Sequence, residues 1–435
     1  MKTEISSRKL IKPSSPTPNH PPTCSISFFD QLAPPIHVPL LYFYPADSTK
    51  TVDKIQRLEQ SLSEVLTVFY PQAGRYHKDD LLVDCNDQGA EFVEATVDLN
   101  LSEFLEEGPK VDLLRSFVPW AVGTPIDATI PMLAVQVTIF TCGGIVLCVY
   151  NSHVIADGFT GTKLIHTWAT FCRIGVAKVE LPNFCLPELF PARDLSEVIG
   201  FPATTEGGPP PKVITRRLLF HAEKITALKA RAGGEPGDVL IPTRLEVVLA
   251  TVWKALIRVS QATHQGQLRP SLMAISVNLR GRTALPTPEN AAGNFYVVTA
   301  AKFPGEEDKT DLNHMVGFIR DSIKKTLASY ADLSTADEIF SAVVRDTNEM
   351  RRALHDEEVD VHHMTSLCGF PIYETDFGWG KPLLVSNVSV PLGLTALIDE
   401  KDGRGIEAWV SLKEPCLSKF EKDPDIAAVI GCSPN

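Results

Sequence analysis

Residues Leu133–Phe159 read LAVQVTIFTCGGIVLCVYNSHVIADGF, and this stretch decides the fold. Leu133 to Phe140 is an apolar, β-branched run, Gly143-Gly144 supplies a turn, and Ile145 to Tyr150 is a second such run. Beyond Asp157 the period changes: Leu164, Trp168 and Phe171 recur at three- and four-residue steps, one face of a helix. A strand pair running into a helix predicts a mixed α/β chain. It also sets His153, within Asn151-Ser152-His153-Val154-Ile155-Ala156-Asp157-Gly158, in the loop between strand and helix. A loop histidine followed by a carboxylate and a glycine is a place for a working base.

The same mixture continues outward. Ile55, Leu58, Leu62, Val65, Leu66 and Phe69 mark an amphipathic helix upstream. Downstream, many prolines between Leu181 and Val213 and the run Gly207-Gly208-Pro209-Pro210-Pro211 suit a connector rather than a packed element. The expected division is an N-terminal lobe over 1–190, a Pro/Gly-rich crossover linker over 191–215 and a C-terminal lobe over 216–435. In the latter, strand patterns occur near 216–220, 272–277, 295–300, 383–390 and 406–412. Helices are expected near 311–327 and 337–351, and from Thr243, where Thr243 and Glu246 spell a capping box.

Composition narrows the function. A chain of 435 residues, 44% hydrophobic and 22% charged, can bury a large core without staples. Nine cysteines, odd in number and without a Cys-x-x-Cys pair, argue against a disulfide framework and a zinc site. A formal net charge of −12 argues against a nucleic-acid partner, which requires clustered Lys and Arg. The polar, proline-punctuated residues 1–22 contain no apolar h-region, and the 131–150 stretch is too interrupted to span a bilayer, so a cytoplasmic protein without a membrane partner is expected. Cys432 stands at the prenylation offset, but Ser433-Pro434 is not aliphatic.

The second informative string is Asp376-Phe377-Gly378-Trp379-Gly380. A His-x-x-x-Asp spacing arises by chance roughly 0.7 times in such a chain, whereas this pentapeptide arises on the order of 10⁻⁴ times. A kinase Asp-Phe-Gly is excluded by the absence of a His-Arg-Asp loop and of a glycine-rich phosphate loop, and no Gly-x-Ser-x-Gly elbow suggests a serine hydrolase. Together with Asp30-Gln31-Leu32, Tyr70-Pro71-Gln72-Ala73-Gly74-Arg75, Asn278-Leu279-Arg280 and Gly293-Asn294-Phe295, the two strings resemble the BAHD family of plant acyl-CoA-dependent acyltransferases, with its HxxxDG and DFGWG signatures. The wording is nearest the branch of alkaloid and terpenoid acetyltransferases that includes vinorine-synthase-like enzymes.

The resemblance implies an α/β fold of two chloramphenicol-acetyltransferase-like lobes, with mixed sheets and a central solvent tunnel. It implies His153 as general base, a role for which a near-neutral pKa is suited. Asp157 either orients the imidazole or caps the next helix, and relatives imply a structural role in which it pairs with Arg280, with Gly158 supplying backbone freedom. Asp376 and Trp379 are implied to be architectural. Thr243 and Arg244 fall where relatives meet the coenzyme, although capping alone explains Thr243. His37 and Thr365 fall where relatives meet substrate, and a packed histidine is an equal reading of His37. No bound cofactor or metal is implied; acyl-CoA is a cosubstrate.

One departure stands out: the family commonly writes Ser-Trp and then Cys-Arg before DFGWG, and this chain has Ser366-Leu367-Cys368-Gly369. The expected activity is transfer of an acyl group, acetyl foremost, from acyl-CoA to a hydroxyl of a plant alkaloid, terpenoid or phenolic alcohol, by a monomer. Two alternatives are an amide-forming N-acyltransferase and a non-catalytic ligand-binding member, the latter motivated by Leu367 and Gly369.

Overall fold

The computed structural model describes residues 2–17, 23–106, 108, 110–176, 179–200, 212–233, 241–388, 391 and 393–430. The two apolar runs pair antiparallel, from Leu133 opposite Asn151 to Ile139 opposite Ile145. Ile145–Ser152 is buried at every position, which is why its sequence does not alternate. A strand covered on both faces needs apolar residues on both.

The chain divides into two compact units. The first comprises Met1–Arg193, Thr287–Phe295 and Phe370–Val388. Its six-stranded sheet runs in the order Thr3–Ile11, Ala90–Val97, Leu133–Phe140, Ile145–Ser152, His37–Tyr44, Leu384–Ser386. All neighbours are antiparallel except Ala90–Val97 and Leu133–Phe140. A three-stranded sheet of Thr23–Ser25, Leu82–Asp84 and Arg75–His77 accompanies it. The Thr51–Val68 helix buries Leu58, Leu62, Val65 and Leu66 and is tied to the Gly158–Ile174 helix. The fully buried Trp168 donates its Nε1 hydrogen to Leu58 O at 3.2 Å and Ser61 Oγ at 3.0 Å. A large indole is thus buried with its polar atom satisfied.

The second unit comprises Asp194–Pro286, Tyr296–Gly369 and Ser389–Asn435. Its sheet runs Tyr296–Phe303, Ser271–Asn278, Asp360–Ser366, Leu394–Asp399, Ile406–Lys413, Val213–Phe220. The two pairings of Asp360–Ser366 are parallel and the others antiparallel. The Arg244–Thr263 helix is the spine of this core: Val248, Val252 and Trp253 are fully buried, and Trp253 Nε1 donates to Ser271 Oγ at 2.9 Å. Thr243 caps this helix with the reciprocal Glu246 bond that the sequence spells.

Two expectations require correction. DFGWG does not belong with a 216–435 lobe: residues 370–388 are part of the first unit, because Leu384–Ser386 adds to the edge of its sheet beside His37–Tyr44. Nor is 191–215 a uniform linker. Ile199 N donates to Asn348 Oδ1 at 2.7 Å, Asn348 Nδ2 to Glu197 O at 2.9 Å and Arg351 Nη1 to Ile199 O at 2.5 Å. These bonds dock the segment on the Ala336–His355 helix, and a strand starts at Val213. The Gly207–Pro211 run, Cys432 and the end of the strand expected over 383–390 lie outside the described residues. Among the described residues, no helix is long and apolar enough to cross a membrane.

Candidate active site

His153 sits one residue beyond the Ile145–Ser152 strand, and its backbone is pinned from both sides. Ser152 N donates to Met132 O and His153 N to Ile36 O, each at 2.8 Å, so pairing with both neighbouring strands continues to the histidine itself. Val154, Ile155 and Ala156 are then buried, and Asp157 starts the Gly158–Ile174 helix. Burial pushes the imidazole pKa below its ordinary value. The carboxylates of Asp157 and Asp30 and the side chain of Asn294 work the other way. The balance leaves a neutral imidazole at physiological pH, the form that can accept a proton.

Asp157 is a helix cap in this geometry. Its Oδ1 accepts from Thr160 N at 2.9 Å and its Oδ2 from Phe295 N at 3.1 Å. One oxygen therefore satisfies a free amide of the first helical turn, and the other anchors Thr287–Phe295. Thr160 reinforces that anchor: its Oγ1 donates to Gly293 O at 2.9 Å and accepts from Gly293 N at 3.0 Å. Gly293 has φ +127°, and a Cβ there would stand 2.9 Å from Leu186 Cδ1, so glycine is required.

Those bonds deliver two residues that the sequence reading quoted without assigning. Asn294 Nδ2 donates to His153 O at 2.8 Å, Val154 O at 3.1 Å and Asp30 Oδ1 at 2.8 Å. Asp30 is itself held in a buried capping box with Ser27. Asn294 follows a glycine and Asp30 lies in an aromatic run, but only the folded chain shows that both meet the histidine loop.

His37 is a packed histidine. It lies opposite Ser152 in the sheet, its Nε2 bonds Pro131 O at 3.0 Å, and its ring stands 5.1 Å from Trp120 and 5.2 Å from Tyr150. Burial pushes its pKa down to about 4.

The DFGWG string forms a turn closed by its own aspartate: Asp376 Oδ1 accepts from Gly378 N at 2.7 Å and Gly380 N at 2.9 Å. Phe377 packs edge-on against Trp168 at 5.0 Å and parallel to Trp379 at 5.7 Å. Arg57 lies with its guanidinium 5.5 Å from the Trp379 ring and donates to Phe377 O at 3.3 Å and Cys172 O at 2.8 Å. Cys172 is in the last turn of the helix that Asp157 starts, so Arg57 ties the turn to the far end of that helix.

Of the remaining sequence candidates, Thr243, Arg244, Arg280 and Thr365 belong to the second unit. Arg280 Nη1 donates to Asn278 Oδ1 at 3.2 Å. Thr365 is half-buried in the Asp360–Ser366 strand, opposite Ala396. Arg244 Nη1 is 3.1 Å from Asp399 Oδ1, while Asp399 Oδ2 accepts from Gly369 N at 2.7 Å. Asp399 thus links the expected coenzyme residue to one of the departures from the family pattern.

Among the described residues, no group of three or more His, Cys, Asp or Glu is placed to hold a metal ion. The described cysteines are free thiols. Burial raises the pKa of Cys24, Cys85 and Cys368 to about 12 and that of Cys148 and Cys172 above its ordinary value. These thiols are protonated at neutral pH, the unreactive form.

Comparison with known proteins gives this geometry its context. The chain is 35% identical to an acetyl-CoA-benzylalcohol acetyltransferase of Clarkia breweri, covering 99% of this chain and 100% of that one. It is 34% identical to a stemmadenine O-acetyltransferase of Catharanthus roseus, covering 97% and 96%. The crystal structure of vinorine synthase superimposes with a TM-score of 0.82 at 32% identity over 98% of each chain. The profile described as the Transferase family matches residues 1–426, and the chain belongs to that family, the BAHD acyltransferases.

Proposed function

We propose that the protein transfers an acyl group, acetyl foremost, from acyl-CoA to a hydroxyl of a plant alkaloid, terpenoid or phenolic alcohol, with His153 as general base. The observation that carries this reading is a neutral, partly enclosed imidazole whose main chain is fixed by Ile36 and Asn294. The named relatives supply the chemical class, since they act on an aromatic alcohol and an alkaloid alcohol.

In the proposed reaction, His153 takes the proton of the acceptor hydroxyl as its oxygen attacks the thioester carbonyl. The tetrahedral adduct collapses by breaking the carbon–sulfur bond, and the imidazolium returns the proton to the departing thiolate. Acyl-CoA and alcohol are consumed, ester and free coenzyme are released, and no cofactor stays bound. Thr243 and Arg244 are assigned to the coenzyme and Thr365 to the acceptor, while His37 keeps its packed role. Asp157, Gly158, Arg280, Asp376 and Trp379 support the site. The enzyme acts as a cytoplasmic monomer.

The test is mass-spectrometric detection of acylated alcohols after incubating the purified protein with acetyl-CoA and other acyl-CoAs and a panel of benzylic, terpenoid and alkaloid alcohols. His153→Ala is expected to lower turnover by about 10²- to 10⁴-fold, the range for general acid–base catalysis, with folding retained. Full activity in a folded His153→Ala protein removes the histidine from the mechanism.

A further inference from the structure

Arg244, assigned to the coenzyme, opens the Arg244–Thr263 helix, where the Thr243–Glu246 capping box fixes its main chain. Arg320 clasps the Glu246 carboxylate through Nε at 2.8 Å and Nη2 at 2.7 Å, so the cap brings no uncompensated negative charge to that end of the helix. The side chain of Arg244 is 36% exposed. A long exposed arginine samples many rotamers unless something holds it.

Asp399, the last residue of the Leu394–Asp399 strand, holds it. Its Oδ1 stands 3.1 Å from Arg244 Nη1, is buried, and accepts no hydrogen bond among the described residues, so the Arg244 charge compensates it. Its Oδ2 accepts from Gly369 N at 2.7 Å. Gly369 has φ +88°, in the left-handed region that favours glycine, so the residue that departs from the family pattern is also the one whose amide fixes the carboxylate. Arg244 Nη1 also donates to Gly405 O at 3.4 Å.

Both contacts use the same guanidinium nitrogen. Arginine carries five N–H donors in a rigid plane, and those on Nε and Nη2 have no protein partner among the described residues. Fixing one corner of the plane therefore sets the direction in which the other donors point. The anions that coenzyme A offers are phosphates, and an arginine fork binds phosphate in a geometry that depends on that direction. A carboxylate also repels phosphate, so two effects oppose each other. Here the Asp399 charge is shared between the Gly369 amide and the Nη1 corner, whereas the ordering gain applies to the whole side chain.

We infer that Asp399 is a positioning residue that orders Arg244 in advance for a phosphate of the coenzyme. The inference rests on Arg244 meeting the coenzyme.

The test is isothermal titration calorimetry with free coenzyme A, which needs neither acceptor alcohol nor turnover, so its outcome is separate from the role of His153. Arg244→Met is expected to weaken binding by roughly 10-fold or more, the loss of a charged hydrogen bond. Asp399→Asn keeps the shape and an oxygen for Gly369 N. It is expected to weaken binding roughly 2- to 10-fold, the cost of ordering a freed side chain. In the Arg244→Met background the same change is expected to have no further effect, and a loss that persists there overturns the inference, since it would not act through Arg244. Relaxation NMR of the arginine Nε–H groups needs no Asp399 variant and decides the matter if Asp399→Asn fails to fold. The Arg244 signal, identified by its loss in Arg244→Met, is expected to be ordered before coenzyme is added, and an order parameter below about 0.6 overturns the inference. Asp399→Asn that binds coenzyme A as well as the wild type, or better, while Arg244→Met binds it worse, overturns it too and leaves Arg244 at the coenzyme. Unchanged binding in Arg244→Met, or no binding by the wild type, overturns the coenzyme assignment and the inference with it.

Discussion

At the scale of single residues, the site is a problem of keeping one histidine neutral without letting it move. Burial lowers the His153 pKa, and the nearby carboxylates of Asp157 and Asp30 recover part of that shift. Because the pKa of the folded protein lies below the ordinary value near 6.5, the basic form persists to a lower pH than for a free histidine. The acid limb of kcat/KM, measured on the free enzyme, is therefore expected below about pH 6.5. A limb well above that value would assign it to another group. His37 provides a separate check on burial. Its pKa of about 4, against 6.5 when exposed, means that stability is fully present above the ordinary value and is lost as pH falls toward 4. The full shift corresponds to about 3 kcal/mol, counted at 1.36 kcal/mol per pH unit. Between about pH 7.5 and about pH 4.5, the wild type is expected to lose some 2–3 kcal/mol more than His37→Phe in urea unfolding. Equal losses would show that His37 protonates without penalty.

Sequence reasoning reached His153 because the loop is local: an apolar run, a histidine and a helical period lie within one stretch. It reached the cap because Asp157 precedes that helix directly. Asp30 and Asn294 were present in quoted strings but carried no local sign of their role, since their bonds join positions 141 and 264 residues apart. A buried polar network is decided by which groups meet in space.

At the scale of elements, pattern served where apolar residues mark a face or a buried run and failed at a charged edge strand and a histidine-bearing central one. The helix expected over 337–351 is present as Ala336–His355, with Ile339, Ala342, Val343 and Met350 buried on one side. Thr3–Ile11 escaped notice because it is an edge strand, exposed along most of its length and carrying Glu4, Arg8 and Lys9. Charges of this kind are what a sheet edge needs to discourage further pairing. Asp360–Ser366 escaped because a strand containing His362 and His363 does not read as central, although it is flanked on both sides in its sheet.

The DFGWG turn gives this scale its predictions. Gly378 has φ +106°, and a Cβ there would lie 2.5 Å from Arg57 Nη2, the same guanidinium that packs on Trp379. Gly380 has φ +95° and nothing within 4 Å of the equivalent point. Gly380→Ala therefore meets backbone strain alone, about 1–3 kcal/mol, whereas Gly378→Ala also displaces Arg57. The melting temperature is expected to fall further for Gly378→Ala; equal falls would show that Arg57 does not need that space. Asp157→Ala removes both the helix cap and the acceptor for Phe295 N, and is expected to cost about 2 kcal/mol or more and to lower activity with it. An unchanged melting temperature with lost activity would instead favour direct orientation of the imidazole by Asp157.

At the scale of the whole molecule, the question is whether the acyl group ever rests on the protein. A covalent route needs a nucleophile that is activated by a lowered pKa or by a neighbouring base. Burial drives the Cys24, Cys85, Cys148, Cys172 and Cys368 thiols the wrong way, toward the protonated form. Ser152, adjacent to His153, is fully buried, with its hydroxyl accepting from Val154 N at 3.3 Å within the strand end. None of these groups is an activated nucleophile, in keeping with the proposed direct attack of the alcohol on the thioester, which requires both substrates to be bound together. Initial rates at varied acetyl-CoA and alcohol are therefore expected to give intersecting double-reciprocal lines. Incubation with acetyl-CoA alone is expected to leave the mass of the protein unchanged, and single cysteine replacements to leave turnover in place. Parallel lines together with a stable acyl adduct that passes its acyl group to added alcohol would sink direct attack. That outcome would leave the family membership intact and replace the proposed direct attack by a covalent route through the residue that carries the adduct.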